Sequence, residues 1–346
     1  MARILYGVAG EGFGHSTRAI EIINFLCQQG HQVKVASYGK GYFILRDHFD
    51  VTEIFGLRFV YRENEVQYLE TAWKNLLKAP AALKSFNILD KLVADFQPQL
   101  IISDFEPLTA ATAQLKKIPL LSVDNEHVLI KTKYDYPRNH RSEHQVARLI
   151  TRLMMFRAKA YVVLSFFPCQ PLSKKVFVLP PLIRQAVLDL QPTKQDYVLV
   201  YLNNEFSGLL DILKQQPGRF LVYGFDCQKA EANLTFKKFD QKEFLHDLAG
   251  ASAVIGTAGF SLISEALYLG KPYLAVPAQQ QFEQTLNAYH LAKLGYGAYA
   301  EELTSSVVAD FLLKLADYNA VLAGGIPSGN QAVFAKLQEL IKLYAK

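Results

Sequence analysis

"RILYGVAGEGFGHSTRAIEIINFLCQQGHQVKVASYG", residues 3–39, joins an apolar run, a glycine-rich turn, a helical period and a second apolar run. After about Ser16, residues Ala19, Ile22, Ile23 and Leu26 recur at helical spacing, so the segment reads as a strand, a helix and a second parallel strand. The same alternation extends outward. "QLIISDF" (99–105), "IPLLSVDNE" (118–126), "AYVVLSFF" (160–167) and "VFVLPPLI" (176–183) are near-continuous apolar runs, the pattern of parallel strands covered on both faces. Between Pro180 and Asp196 the period is lost and prolines collect, which marks a linker. Alternation resumes with "YVLVYLNN" (197–204), "RFLVYGF" (219–225), "SAVIGTAG" (252–259) and "PYLAVPA" (272–278).

The fold class expected is therefore α/β, with two Rossmann-like, doubly wound parallel-sheet domains. Residues 1–184 form the first, 185–195 the linker and 196–326 the second, and a helix in 327–346 is expected to pack back on the first domain. Two such domains facing each other leave a cleft at the carboxyl ends of their strands, where ligands bind. The length of 346 residues suits two domains of ordinary size. An excess of 37 basic over 32 acidic residues tolerates phosphate-bearing ligands without implying nucleic acid. Cys27, Cys169 and Cys227 are too few and too scattered for a disulfide framework or a zinc site, so a reducing cytoplasm is expected. The N-terminal apolar run is too short for a signal peptide, and no run of about 18 apolar residues occurs.

Gly10, Gly12 and Gly14 follow a strand and open a helix, a setting in which backbone amides receive an anion. The spacing is not that of a dinucleotide fingerprint, and "VKVASYGKG" lacks the acidic ribose ligand expected after the second strand. His15 falls in the first helical turn, where a neutral imidazole is a candidate general base. Taken alone, it reads more simply as a surface histidine at a helix start. Asp104 ends "LIISD" at the same sheet edge and is placed either to orient that imidazole or to cap the turn before "FEPL". Asp124, Asn125, Glu126 and His127 end the next strand, and Asp124, Glu126 and His127 are expected to contact an acceptor rather than a metal.

Residues 256–297 carry the stronger signal. Gly256, Thr257, Ala258, Gly259, Phe260 and Ser261 make a small-residue turn into a helix that lets amides approach a diphosphate. Glu265 lies about one turn further on, suited to a ribose diol or to the helix dipole.

"SEALYLGKPYLAVP" (264–277), followed by "FEQTLNA" (282–288), resembles the nucleotide-sugar segment of GT-B glycosyltransferases. That superfamily includes the bacterial lipid-intermediate N-acetylglucosaminyltransferases and the UDP-glucuronosyltransferase-like enzymes. "GEGFGHSTRA" (10–19) and "ISDFEPL" (102–108) are similar to its acceptor-side loop and to a branch of bacterial and archaeal glycosyltransferases. The resemblance implies inverting transfer of a sugar from a UDP-sugar to an acceptor hydroxyl. The donor would lie mostly on the second domain and the acceptor mostly on the first. It implies His15 as base with Asp104 as partner, residues Gly256 to Ser261 at the diphosphate and Glu265 at the ribose. It further implies Phe239 at the uracil edge, Glu283 and Gln284 at sugar hydroxyls with Asn287 in support, and Asn203 and Gly14 near the phosphates. No Asp-x-Asp motif stands at a strand end, so no metal and no cofactor beyond the donor substrate are expected. A UDP-N-acetylhexosamine 2-epimerase and a silent nucleotide-sugar binding module share this architecture and stand as alternatives.

The stretch "HQVARLITRLMMFRAKAYVV" (144–163) sets Arg148, Arg152 and Arg157 among apolar residues. It reads either as a helix on the sheet with snorkelling arginines or as a contact with the inner membrane face that suits a lipid-linked or cell-envelope acceptor. Trp73, Leu76 and Leu77 are candidates for an acceptor mouth or for core.

Overall fold

The computed structural model describes residues 1–56, 61, 62, 65, 66, 79–202 and 207–346. Asn203, Trp73, Leu76 and Leu77 lie outside the described residues.

The first seven-stranded sheet comprises β1 (Arg3–Val8), β2 (Gln32–Ser37), β3 (Val51–Glu53), β4 (Leu100–Asp104), β5 (Leu120–Asp124), β6 (Ala160–Leu164) and β7 (Val176–Leu179). Its order is β7-β6-β5-β4-β1-β2-β3, with every pairing parallel, and the direction in which successive strands are added switches between β1 and β4. The second sheet comprises β8 (Tyr197–Tyr201), β9 (Arg219–Tyr223), β10 (Lys229–Glu231), β11 (Leu234–Phe236), β12 (Ala253–Thr257), β13 (Tyr273–Val276) and β14 (Gly297–Tyr299), ordered β10-β11-β9-β8-β12-β13-β14. It is parallel except at β10, which pairs antiparallel with β11 on the edge. β4, β5, β6 and β13 are buried along their whole length, as strands covered by helices on both faces must be. The two sheets are those expected from the sequence; the edge strands β3, β10 and β14 have three residues each, too few to leave a period.

Six helices matter below: α1 (Gly14–Gln28), α2 (Pro107–Leu115), α3 (Arg141–Met154), α4 (Phe260–Tyr268), α5 (Phe282–Lys293) and α6 (Asn330–Tyr344). α1 buries Ala19, Ile22, Ile23 and Leu26, the residues of its helical period. Glu106 caps α2, its carboxylate accepting from the backbone N–H groups of Leu108 at 3.0 Å and Thr109 at 2.6 Å.

The connector between the sheets is tied down. Gln185–Leu188 forms a short helix inside the segment read as linker, and Asn330 at the start of α6 accepts from Ile183 N–H at 2.9 Å and donates to Ile183 C=O at 2.8 Å. The Gly329 N–H donates to Pro181 C=O at 2.7 Å, and a Cβ at Gly329 would stand 2.1 Å from Pro180 O. α6 lies on the first domain, with Phe334 stacked on Phe25 at a centroid distance of 4.4 Å and Val333 and Leu337 fully buried. One apolar cluster accordingly runs from α1 and β1 through Ile183 and Phe260 to α6.

Asn330→Ala leaves both backbone groups of Ile183 without this partner. We expect a loss of about 1–3 kcal/mol, read as a lower urea midpoint. An unchanged midpoint would remove the clasp from the account of how the domains are held.

Candidate active site

Parallel pairing of β1 with β4 sets Val8 opposite Asp104, so the glycine loop and Asp104 leave the sheet at the same edge. Phe105, at φ 52°, turns the chain sharply after Asp104 toward the Glu106 cap. The first turn of α1 then projects His15, and Arg18 follows three positions later on the same face. Asp104 is wholly buried. Its Oδ1 lies 2.7 Å from His15 Nδ1 and 2.5 Å from Arg18 Nη2, and its Oδ2 accepts from Arg18 Nε at 2.8 Å. Arg18 Nη2 is also 3.1 Å from His15 Nδ1. An imidazole nitrogen donates or accepts, not both, and the carboxylate fixes Nδ1 as a donor. The nitrogen left free of Asp104 is therefore Nε2, which faces Glu126 Oε1 at 3.3 Å.

Carboxylates outnumber permanent cations here. Burial opposes charge on His15, yet Glu126 and Asp104 outweigh it and hold the imidazolium up to about 9. Burial also lifts the Glu126 carboxyl to about 8 against the pull of His15, with Glu283 adding to the rise. Glu283 is itself raised, by burial before any other cause. Both shifts are upward, so His15 and Glu126 favour their protonated forms at neutral pH and titrate as a pair.

The second domain faces this group directly. Asn125 accepts from Arg18 Nη1 at 2.8 Å and donates through Nδ2 to Glu283 Oε1 at 2.8 Å, which links β5 to the first turn of α5. Gly259 opens α4 with no side-chain cap and no acid in the first turn, so first-turn amide donors remain for a ligand. A Cβ on Gly259 would meet nothing, whereas one on Gly14 would stand 2.7 Å from Ser261 Oγ. The N-termini of α1 and α4 therefore approach each other across the cleft. Between them lies a cavity of about 530 Å³, lined by His15, Arg18, Glu126, Arg184, Glu265 and Glu283 among others.

Gly14, Phe239, Thr257, Gly259, Phe260, Ser261, Glu265, Glu283 and Gln284 all line this cavity. Gly256 and Ala258 do not line it; Gly256 packs against Tyr273, and the Ala258 carbonyl accepts from Asn287 Nδ2 at 3.1 Å. Gln284 is turned toward its own loop, accepting from Ala278 N–H at 2.9 Å. Phe239 stacks on Phe13 from the other domain at 6.0 Å. Asp124 and His127 stand behind Glu126. His127 Nδ1 bonds Asp124 Oδ2 at 2.7 Å, both residues are buried, and neither lines the cavity. Burial pushes the Asp124 carboxyl up, but His127 outweighs it and the net shift is downward.

Arg18 and Arg184, which the sequence left unassigned, enter the site, as does Asn125, which the sequence offers to the cleft without a stated role. Arg18 was accessible from its spacing to His15. Asn125 stood between two assigned neighbours. Arg184, in the segment read as linker, gave no local signal; it grips Glu265 with Nε to Oε1 and Nη2 to Oε2, each 2.5 Å. His15, Asp104 and Glu126 also offer three atoms within 4.8 Å of one another, a spacing that suits a metal ion. The cation at Asp104 in this structure is Arg18, which engages both of its oxygens.

The sequence matches Glycosyl transferase family 1 over residues 2–316. An uncharacterized glycosyltransferase of Methanosarcina acetivorans is 24% identical over 331 residues, covering 85% of this chain and 84% of its own. Among solved structures, Acinetobacter baumannii MurG is similar with a TM-score of 0.62 at 17% identity, over 98% of this chain and 100% of that one. The spinosyn rhamnosyltransferase SpnG complexed with thymidine diphosphate gives a TM-score of 0.65 at 14% identity, over 98% of this chain and 100% of its own. The architecture is thus GT-B, and the family match places the chain with the glycosyl transferases. With a family match that spans both domains and the cleft between them, this protein belongs to glycosyl transferase family 1.

Proposed function

We propose that the protein transfers a sugar from a UDP-sugar to an acceptor hydroxyl with inversion, without a metal, and with His15 as the base. The observation that carries this reading is the His15–Asp104 pair, 2.7 Å apart, on the cavity wall facing the amide-rich start of α4. The acceptor O–H gives its proton to His15 Nε2 while its oxygen bonds the anomeric carbon from the face opposite the diphosphate. The bond from that carbon to the diphosphate oxygen breaks, and UDP leaves with the electron pair. Amides of Gly259, Phe260 and Ser261 receive the charge that develops on the phosphate. Asp104 holds the Nδ1 proton and stabilises the imidazolium once Nε2 is protonated. Arg18, already on Asp104, keeps that carboxylate from needing a metal ion.

Glu265 reaches the ribose diol in this reading, and the donor then competes with Arg184 for its oxygens. The uracil lies toward Phe239, sugar hydroxyls toward Glu283 and Gln284, and the acceptor toward Glu126. Three unpaired cysteines among the described residues support a reducing, cytoplasmic setting. No helix among the described residues is long and apolar enough to cross a membrane.

His15→Ala should lower UDP release from a UDP-sugar by about 10²- to 10⁴-fold while leaving UDP affinity unchanged by calorimetry. A parallel loss of affinity would move His15 to the donor. Glu265→Ala should weaken UDP by about 1–3 kcal/mol if its ribose bonds exist; no change would leave it only the Arg184 contact.

The pH dependence has a fixed sign. Nε2 accepts a proton only after His15 has lost the one that the surrounding carboxylates favour, so the rate should rise with pH across the range of about 8 to 9. Glu126→Gln removes a carboxylate that raises His15, which should move that limb to lower pH. A profile flat from pH 6 to 10, or a limb moved upward in the variant, would sink the assignment of His15 as base.

A further inference from the structure

Helix α3 is built inside out. A surface helix of a soluble domain turns its apolar stripe inward. Here the residues buried against the protein are His144 and Thr151, while Val146, Leu149 and Leu153 face outward. Their spacing puts these three on one side of the helix, roughly opposite His144 and Thr151. Leu153 is 73% exposed and Leu149 55%, and Phe156 just past the helix end is 41% exposed. Arg141, Arg148 and Arg152 run along one flank, and Arg157 and Lys159 follow the helix. None of these five cations has an ion-pair partner among the described residues, whereas Arg18 and Arg184 inside the cleft are both held by carboxylates. The one acid in α3, Glu143, is bonded to His140 at 3.0 Å.

We propose that α3 and the residues up to Lys159 form a docking surface for an anionic lipid membrane. The outward leucines and Phe156 would enter the headgroup boundary, and the arginines would pair with lipid phosphates. Charge decides for a bilayer over a second copy of the chain. A self-complementary contact across α3 would set the arginine rows of both copies close together, with Glu143 as the only acid of either helix.

The position of the surface suits its use. The His144 ring packs on Tyr136 at 3.9 Å and on Phe282 at 4.9 Å, and Phe282 precedes Glu283 of the cleft. A protein seated on α3 thus keeps the cleft beside the membrane. That the surface delivers a lipid-linked acceptor rests on the transferase reading above; lipid binding itself does not.

The test uses the full chain with vesicles of phosphatidylcholine alone and of phosphatidylcholine with phosphatidylglycerol, read by co-sedimentation. The protein should pellet with the anionic vesicles and be released by salt. Leu149→Glu with Leu153→Glu should abolish pelleting, and Arg148→Gln or Arg152→Gln should each weaken it about fivefold. All four side chains are outside the cleft, so the circular-dichroism spectrum and thermal midpoint should stay unchanged and certify the fold. Equal recovery with neutral and anionic vesicles, or full pelleting of the double glutamate variant, would overturn the proposal. So would a dimer in sedimentation equilibrium that the double variant dissolves, since the occupant would then be a second copy. Loss of turnover in His15→Ala with pelleting intact leaves the two readings independently judged.

Discussion

A buried carboxylate is costly unless it is paired, and Asp104 is buried completely. Its compensation comes from one helix: Arg18 covers both of its oxygens and His15 bonds one of them. That arrangement sets the rest of the site. Arg18 directs its positive charge to Asp104 and an Nη1 N–H to Asn125, and among the described residues Glu126 and Glu283 have no permanent cation as an ion-pair partner. Burial shifts Glu126 and Glu283 upward, and the charges of Glu126 and Asp104 shift His15 upward against burial. The proton affinity of His15 is thus set by the carboxylates around it rather than by the imidazole alone.

The same chain of contacts joins the two domains. From Asp104 it passes through Arg18 and Asn125 to Glu283, and so from the first sheet to α5. Asn125 can bridge a guanidinium and a carboxylate because its amide offers an acceptor to one and a donor to the other. A second tie comes from Arg184, which enters from the connector and grips Glu265 on α4. Neither domain contains the site by itself. A ligand group that occupied Glu265 or Glu283 would act on the contacts that hold the domains together, and so on domain position.

The four residues that end β5 and follow it divide by depth. Asp124 and His127 satisfy each other in the interior, and Ser122 donates to Asp124 at 2.6 Å. Glu126 and Asn125 turn toward the cleft. A run of polar residues at a strand end therefore supplies two side chains to the cavity wall and two to the turn behind it.

The sequence determined the two parallel sheets, because strands covered on both faces must be apolar throughout and the helices between them must repeat every turn. It also determined the glycine turns at Gly14 and Gly259, where a missing Cβ leaves its mark in composition. His15 and Asp104 were legible as candidates, since each ends or follows a strand at the same sheet edge. Only the tertiary structure decided which nitrogen of His15 faces the cavity, that Arg184 of the apparent linker reaches Glu265, and that Asp124 and His127 stand behind the wall. It also turned the apolar face of α3 outward, a choice periodicity cannot make because a helix has the same period whichever way it faces. Local pattern records what a residue needs from its neighbours in the chain; hydrogen bonds between residues 81 to 158 positions apart leave no such record.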